Sequence, residues 1–137
     1  MQTSDKEILE NSKKIAILGL SPDPTKASNK VAQYLQKKGY VIIPIYPKGG
    51  EILGCKAYEN LQDAFNAESD IDILNVFRKS EALLGVAKET LTLPYLPKCV
   101  WVQLGLSSKE AKELLEKSGI VYFENACIKI EHERLFQ

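Results

Sequence analysis

Three cysteines, one histidine, one tryptophan and no net charge leave this 137-residue chain short of several common chemistries. Cys55, Cys99 and Cys127 are widely and irregularly spaced, which argues against both a thiolate metal site and a disulfide framework. A reducing cytoplasm is the expected home. His132 has no second imidazole to share a zinc ion, and Glu131 and Glu133 flank it like helix surface, so a structural or rim contact is expected rather than base catalysis. Eighteen basic residues balance eighteen acidic ones, so no global field draws the chain to nucleic acid or to an acidic membrane. The first apolar run, Ile15 to Leu20, is too short to cross a bilayer and lies too deep for a signal peptide. The loops expected at the ligand edge of the fold hold no paired carboxylates at acid–base spacing, no Ser-His-Asp set and no clustered histidines. The expectation is therefore a chain with no catalytic residue and no metal.

What is present is an alternation of apolar strands and amphipathic helices. Ile15–Leu20, Tyr40–Tyr46, Ile71–Phe77, Cys99–Leu104 and Ile120–Phe123 read as strands rich in β-branched residues. Between them, Val31, Tyr34 and Leu35 form one helical stripe, with Ser28 as its cap and Gly39 as its stop. Leu61, Ala64 and Phe65 mark a short helix. Ala82, Leu83, Val86 and Ala87 mark another, which Ser80 is placed to cap. Ala111, Leu114 and Leu115 mark a third, started by Ser107 or Ser108. Ile52–Tyr58 reads as an irregular connection, and Trp101 and Cys99 as core. Such alternation specifies an α/β fold: a single Rossmann-like, doubly wound domain with a parallel sheet of about five strands covered on both faces. Residues 1–14 are polar apart from Met1, Ile8 and Leu9, and predict an N-terminal helix or arm ahead of a domain spanning 15–137.

In a sheet of this kind the ligand lies beyond the carboxyl ends of the strands, at the switch in strand order. Five segments reach that edge: Gly19–Ser28, Tyr46–Gly50, Phe77–Ser80, Gln103–Gly105 and Glu124–Cys127. Gly19 permits close backbone approach, Ser21 adds a hydroxyl, and amides near Ser28 and Asn29 suit phosphate oxygens at a helix start. A dinucleotide-binding unit carries an acid after its second strand to hold ribose hydroxyls. Here that position reads Tyr46-Pro47-Lys48-Gly49-Gly50, with no carboxylate until Glu51. Lys48 and Arg78 instead offer a mobile point charge and a planar fork, both suited to phosphate. Tyr46 is placed either to flank a base or to pack, and Gln103 reaches the same edge. The acid missing for NAD, with Lys48 able to meet an extra phosphate, leaves a small NADP-dependent oxidoreductase, or a partner subunit of one, as the alternative reading. A chain this short lacks a substrate domain for it. Cys127, near the same edge, is either packed or open to a mixed disulfide with a thiol ligand.

The motifs Ile15-Ala16-Ile17-Leu18-Gly19-Leu20-Ser21-Pro22, Pro44-Ile45-Tyr46-Pro47-Lys48 and Glu51-Ile52-Leu53-Gly54 occur together with Asp72–Glu81, Trp101-Val102-Gln103-Leu104-Gly105 and Cys127–His132. The set, which spans residues 12 to 134, resembles the small bacterial CoA-binding proteins related to the CoA-binding domain of the succinyl-CoA synthetase alpha subunit. The resemblance implies non-catalytic binding of coenzyme A or an acyl-CoA, in a regulatory or carrier role. Its phosphates would lie near the first loop and Lys48, and its adenosine near the second and third strand ends, with Arg78 lining the groove. That family commonly carries Asn where Tyr46 stands, so this one polar contact is not carried over. In the synthetase a phosphorylated histidine and a second subunit perform the chemistry, and the present chain stops before that region, so His132 does not inherit the role. The implied partner is a small-molecule nucleotide ligand, with pairing to a second copy or to an enzyme subunit left open.

Overall fold

Runs of isoleucine and valine become strands because side chains stiff at χ1 pack well on a pleated surface. In the computed structural model, which describes residues 4–136, the strands in chain order are β1 (Lys14–Leu18), β2 (Val41–Ile45), the short β3 (Glu51–Ile52) and β4 (Cys55–Lys56), β5 (Ile73–Val76), β6 (Cys99–Val102) and β7 (Val121–Phe123). The helices are α1 (Asp5–Glu10), α2 (Ala27–Lys37), α3 (Leu61–Ala67), α4 (Leu83–Thr90), α5 (Lys109–Lys117) and α6 (Ile128–Leu135), with a single 3₁₀ turn at Ser80–Ala82 before α4. Residues 1–3 of the expected N-terminal arm, and residue 137, lie outside the described residues.

Five strands form one parallel sheet in the order β2-β1-β5-β6-β7. The order reverses between β1 and β5, because β2 is laid on one side of β1 and the later strands of this sheet, β5, β6 and β7, on the other. Successive side chains point to opposite faces, and the core divides accordingly. Ala16, Leu18, Leu74, Val76, Val100 and Val102 meet Phe65 of α3, Leu83 of α4 and Leu115 of α5. Ile15, Ile17, Ile73 and Trp101 meet Leu9 of α1, Val31 and Leu35 of α2, and Ile128 of α6. Both faces are covered, and the α/β doubly wound arrangement read from the strand–helix alternation is the one observed. Among the described residues no helix is long and apolar enough to cross a membrane.

The strands stop earlier than the apolar runs. β1 ends at Leu18 and β6 at Val102, although Leu20 is fully buried. Hydropathy registers burial, whereas pairing ends where the backbone turns, as Gly19 does with φ +90°. The segment expected to be irregular instead holds the antiparallel hairpin β3–β4, with Leu53 and Gly54 at its tip in left-handed conformations. It is followed by Tyr58, which docks on the outer edge of β2. The Tyr58 amide donates to Pro44 O and the Tyr46 amide donates to Tyr58 O, at 2.9 and 2.8 Å.

Candidate functional site

The turn after β1 is built around Gly19. Its amide donates to Ile45 O at 3.1 Å, while the Phe77 amide donates to Leu18 O at 2.9 Å. A side chain at Gly19 would place its Cβ 2.6 Å from Phe77 O, in a backbone conformation that L-residues avoid. The ends of β2 and β5 thus flank the end of β1, and Lys48, Gly19 and Arg78 follow these three strand ends.

Beyond Gly19 the loop is held by side chains of the helix it enters. Ser28 Oγ accepts the Ser21 amide at 3.0 Å, and Asn29 Nδ2 donates to Ser21 O at 2.8 Å. Gln33 Nε2 in turn donates to Asn29 Oδ1 at 2.7 Å. Within the loop, Ser21 Oγ accepts the Asp23 amide, and Asp23 Oδ1 accepts both the amide and the hydroxyl of Thr25. Those bonds from Thr25, amide first, hold the Asp23 carboxyl below its ordinary range.

This arrangement corrects the role expected of Ser28. The cap position of α2 is Lys26, which makes no side-chain capping bond, and Ser28 is the second helical residue. It is buried and faces back to the loop. The first intrahelical amide donor is Lys30, bonding Lys26 O, so the amides of Ala27, Ser28 and Asn29 precede the helical ladder. The partial positive charge of a helix start is left without a side-chain acceptor. Ser80 is corrected in the same way. It opens the 3₁₀ turn instead of capping α4, and its Oγ accepts the Ser107 amide at 3.1 Å, tying the β5 end to the β6 end. Ser108, by contrast, caps α5 as expected, accepting the Ala111 amide at 3.2 Å.

Lys48 stands in a tight turn closed by the Gly49 amide on Tyr46 O at 2.8 Å, with Pro47 pre-setting the turn's first φ. Its side chain is exposed, whereas Arg78 and Tyr46 are half-buried, Tyr46 against the core under α2. Neither Lys48 nor Arg78 enters an ion pair among the described residues. Gln103, at the end of β6, turns a buried Oε1 that has no hydrogen-bond partner. Asn75, one strand away and fully buried, donates to Trp101 O but leaves its own Oδ1 unmatched.

Cys127 is the buried residue before α6, on a segment fastened by Trp101 Nε1 donating to Ala126 O and by Asn125 Oδ1 accepting the Gly105 amide. Cys99 is core, where burial drives its thiol far above the ordinary range. His132 makes the structural contact, one of the two expected, although its acidic neighbours read as helix surface. It is buried between α2 and α6, its Nδ1 2.7 Å from Tyr34 Oη, with Tyr40 and Phe136 packed on the ring. Burial holds it below the ordinary imidazole range. The spacing Ile128, His132, Leu135 places it on the inward stripe of α6, a signal that its acidic neighbours masked.

A cleft of about 580 Å³ opens on the far side of the Lys48 turn, between the β3–β4 hairpin and α3. Lys56 lines it together with Lys48, and sequence reasoning did not single Lys56 out. Its position depends on Tyr58 docking against β2, which brings a residue of the hairpin beside the strand end. The Tyr58 hydroxyl donates to Glu68 Oε2 at 2.6 Å, and that bond pushes the phenol up to about 12.

Residues 13–133 match a family described as a CoA binding domain. The chain is 42% identical over 127 residues to the Bacillus subtilis (strain 168) protein called uncharacterized protein YneT, covering 93% of this chain and 90% of that one. Among solved structures, a Thermus thermophilus protein designated cell-free ID.343 matches with a TM-score of 0.88 at 35% identity, over 98% of this chain and all of that one. A hypothetical protein from Pyrococcus horikoshii OT3 matches with a TM-score of 0.85 at 31% identity, over 98% and 94% of the two chains. With matches of this extent on a sheet of this order, the chain belongs to the CoA-binding domain family, whose fold is that of succinyl-CoA synthetase alpha-like proteins.

Proposed function

We propose that this chain binds coenzyme A, free or acylated, across the carboxyl edge of its sheet, and that it acts as a carrier or regulatory module in which the bound thiol or thioester does its chemistry elsewhere. The observation that carries the reading is the start of α2, which has no side-chain cap and follows the turn where Gly19 admits no Cβ. A nucleotide diphosphate fits such a place, because bare backbone allows close approach and the helix start favours negative charge. Family membership supports the identity of the nucleotide.

The donor set suits the ligand part by part. The backbone of Gly19 to Ser21 and the first amides of α2, including those of Ser28 and Asn29, receive the diphosphate. The side chains of Ser28 and Asn29 hold the loop in shape and contribute indirectly. Lys48 and Arg78, both without protein counter-ions, neutralise the phosphates from the two neighbouring strand ends. Tyr46 borders the nucleotide. The unmatched Oε1 of Gln103 is an acceptor for an N–H donor of the ligand, of the kind the pantetheine amides supply.

Isothermal titration of the purified protein with CoA and with NADPH tests the reading. CoA binding at micromolar or tighter Kd with NADPH at least tenfold weaker is expected. Preference for NADPH, or no CoA binding at all, would overturn it in favour of a nicotinamide-dependent activity.

A further inference from the structure

At the amino end of the sheet a pocket of about 260 Å³ opens between the turn after α1, the end of α2 and the last turn of α6. It falls below the roughly 300–1,000 Å³ of a drug-sized ligand's site, which suits one small ion. His132 lines it. In either tautomer its Nδ1 is committed to Tyr34 Oη, at 2.7 Å. The Tyr40 and Phe136 rings, centred 5.8 and 4.6 Å away, hold the imidazole in place. Nε2 is therefore its remaining polar atom. No protein group among the described residues bonds it, yet it is not sealed from solvent as Asn75 Oδ1 is.

The charges around the ring leave a positive balance. Lys38 holds its ammonium 5.5 Å from the centre of the Tyr34 ring, and the imidazole lies 5.4 Å from the same centre. Burial, and then the Lys38 charge, keep the imidazole below its ordinary range. Lys13 lines the pocket too, and neither lysine enters an ion pair among the described residues. On α6, Glu133 is offset by Lys129 at 3.2 Å. From α1, Lys6 lies 6.0 Å from the Phe136 ring centre, and Glu10 lines the pocket without pairing to either lysine. The neutral groups are already engaged: Tyr40 Oη donates to Leu9 O and Ser12 Oγ to Ile8 O. The carbonyls of Tyr34, Leu35 and Gln36 at the end of α2 accept the amides of Lys38, Tyr40 and Gly39.

We propose that this pocket binds a small inorganic tetrahedral oxyanion, with His132 Nε2–H and the Lys38 ammonium as donors and Lys13 adding charge. A protonated imidazole donates through Nδ1 to Tyr34 Oη and through Nε2 to the anion. An opposite charge beside the ring favours its charged form, so anion binding and protonation of His132 promote each other. The pocket lies at the opposite end of the sheet from the CoA crevice, and the proposal does not rest on that reading.

His132 is the only histidine of the chain, so its ring Cε1–H resonance reports this site alone. The test is an NMR pH titration of the full chain across the imidazole range, in sodium sulfate and in sodium chloride of equal ionic strength. Sulfate keeps its double charge throughout. It is expected to raise the His132 midpoint by about half a pH unit or more over chloride, saturating at millimolar sulfate. Lys38→Gln is expected to remove more than half of that displacement, and Lys117→Gln, an equal change of charge on α5, none of it. Equal midpoints in the two salts, a displacement that grows without saturating, or one that Lys38→Gln leaves whole would each overturn the proposal. Should Lys38→Gln disturb the amide spectrum, the comparison of the two salts on the unaltered chain still decides.

Discussion

The two ends of the sheet treat their polar groups in opposite ways. At the amino end, Asp72 Oδ2 accepts the amides of Lys13 and Lys14 at 2.8 and 3.0 Å, and its other oxygen meets Lys98 at 3.2 Å. Tyr40 donates to Leu9 O, and Tyr34 meets His132. At the carboxyl end, Lys48 and Arg78 have no counter-ion, the start of α2 has no side-chain cap, and Gln103 carries an unmatched buried acceptor. An unmade hydrogen bond in a buried place costs about 1–3 kcal/mol, a cost that falls on Gln103 Oε1 and not on the exposed Lys48. The carboxyl end thus keeps two cations and the first amides of α2 free of protein side-chain partners, beside bonded groups such as Ser28, Ser80 and Asn125, while Asn75 Oδ1 is the unmatched acceptor in the middle of the sheet.

The contrast is broken most severely at Gly19. Gly19→Val should abolish CoA binding and destabilise the fold by about 1–3 kcal/mol from backbone strain alone, with the clash against Phe77 O adding to it. Titration calorimetry and urea denaturation read the two effects, and a variant that binds CoA normally would dissociate the turn from the site.

Asp72→Ala should act on the other end only. Removing the acceptor of two amides is expected to cost about 1–3 kcal/mol of stability and to leave CoA affinity unchanged. Burial raises the Asp72 carboxyl, but the amides of Lys13 and Lys14 and the Lys98 ammonium outweigh it, and the net displacement is downward. Because the folded form holds the proton less tightly than the unfolded form, the contribution is complete above the ordinary carboxylate pKa of 3.8 and is lost as pH falls below that value and through the lower folded-state pKa. The acid limb of a stability–pH curve should therefore flatten in the variant.

Lys48→Ala reverses the assignment. It should weaken CoA binding by about 0.5–2 kcal/mol, most visibly at low salt, while leaving the urea midpoint unmoved. Unchanged affinity at low ionic strength would take Lys48 out of the site.

The smallest effect is expected at His132. Burial lowers its pKa, with Lys38 adding to the shift and Glu133 opposing it. Its stabilising contribution is thus present above the unfolded value of about 6.5 and fades as pH falls below it. Thermal unfolding followed between pH 7.5 and 5 should show a decline that His132→Gln removes. An identical slope in the variant would transfer the titration to another group.

How much of this was legible beforehand depends on the range of the forces involved. The sheet, its two apolar faces and the start of α5 at Ser108 follow from local spacing, and they are where the alternation of strands and helices put them. Lys48 was visible because a turn is a local object. Ser28 was placed correctly but given the wrong partner. A serine near a helix start looks the same whether its hydroxyl serves its own helix or the preceding loop, and only burial decides. The hairpin at Leu53 was hidden because leucine disfavours φ +52°, a conformation imposed by packing and by the pairing of Glu51 with Lys56. Lys56 joined the cleft only through Tyr58, a contact formed across the edge of β2. The inward place of His132 is carried by its spacing from Ile128 and Leu135, while its acidic neighbours point the other way.

Pro44 has a bearing on how copies of the chain can meet. It occupies an outer strand, lacks an amide hydrogen, and its carbonyl is already taken by Tyr58. A foreign strand approaching along β2 would find one missing donor and one occupied acceptor in the middle of the rim, so the sheet cannot be prolonged from that side. Any assembly that continues the sheet from one copy into another would have to run through β7, at the opposite border.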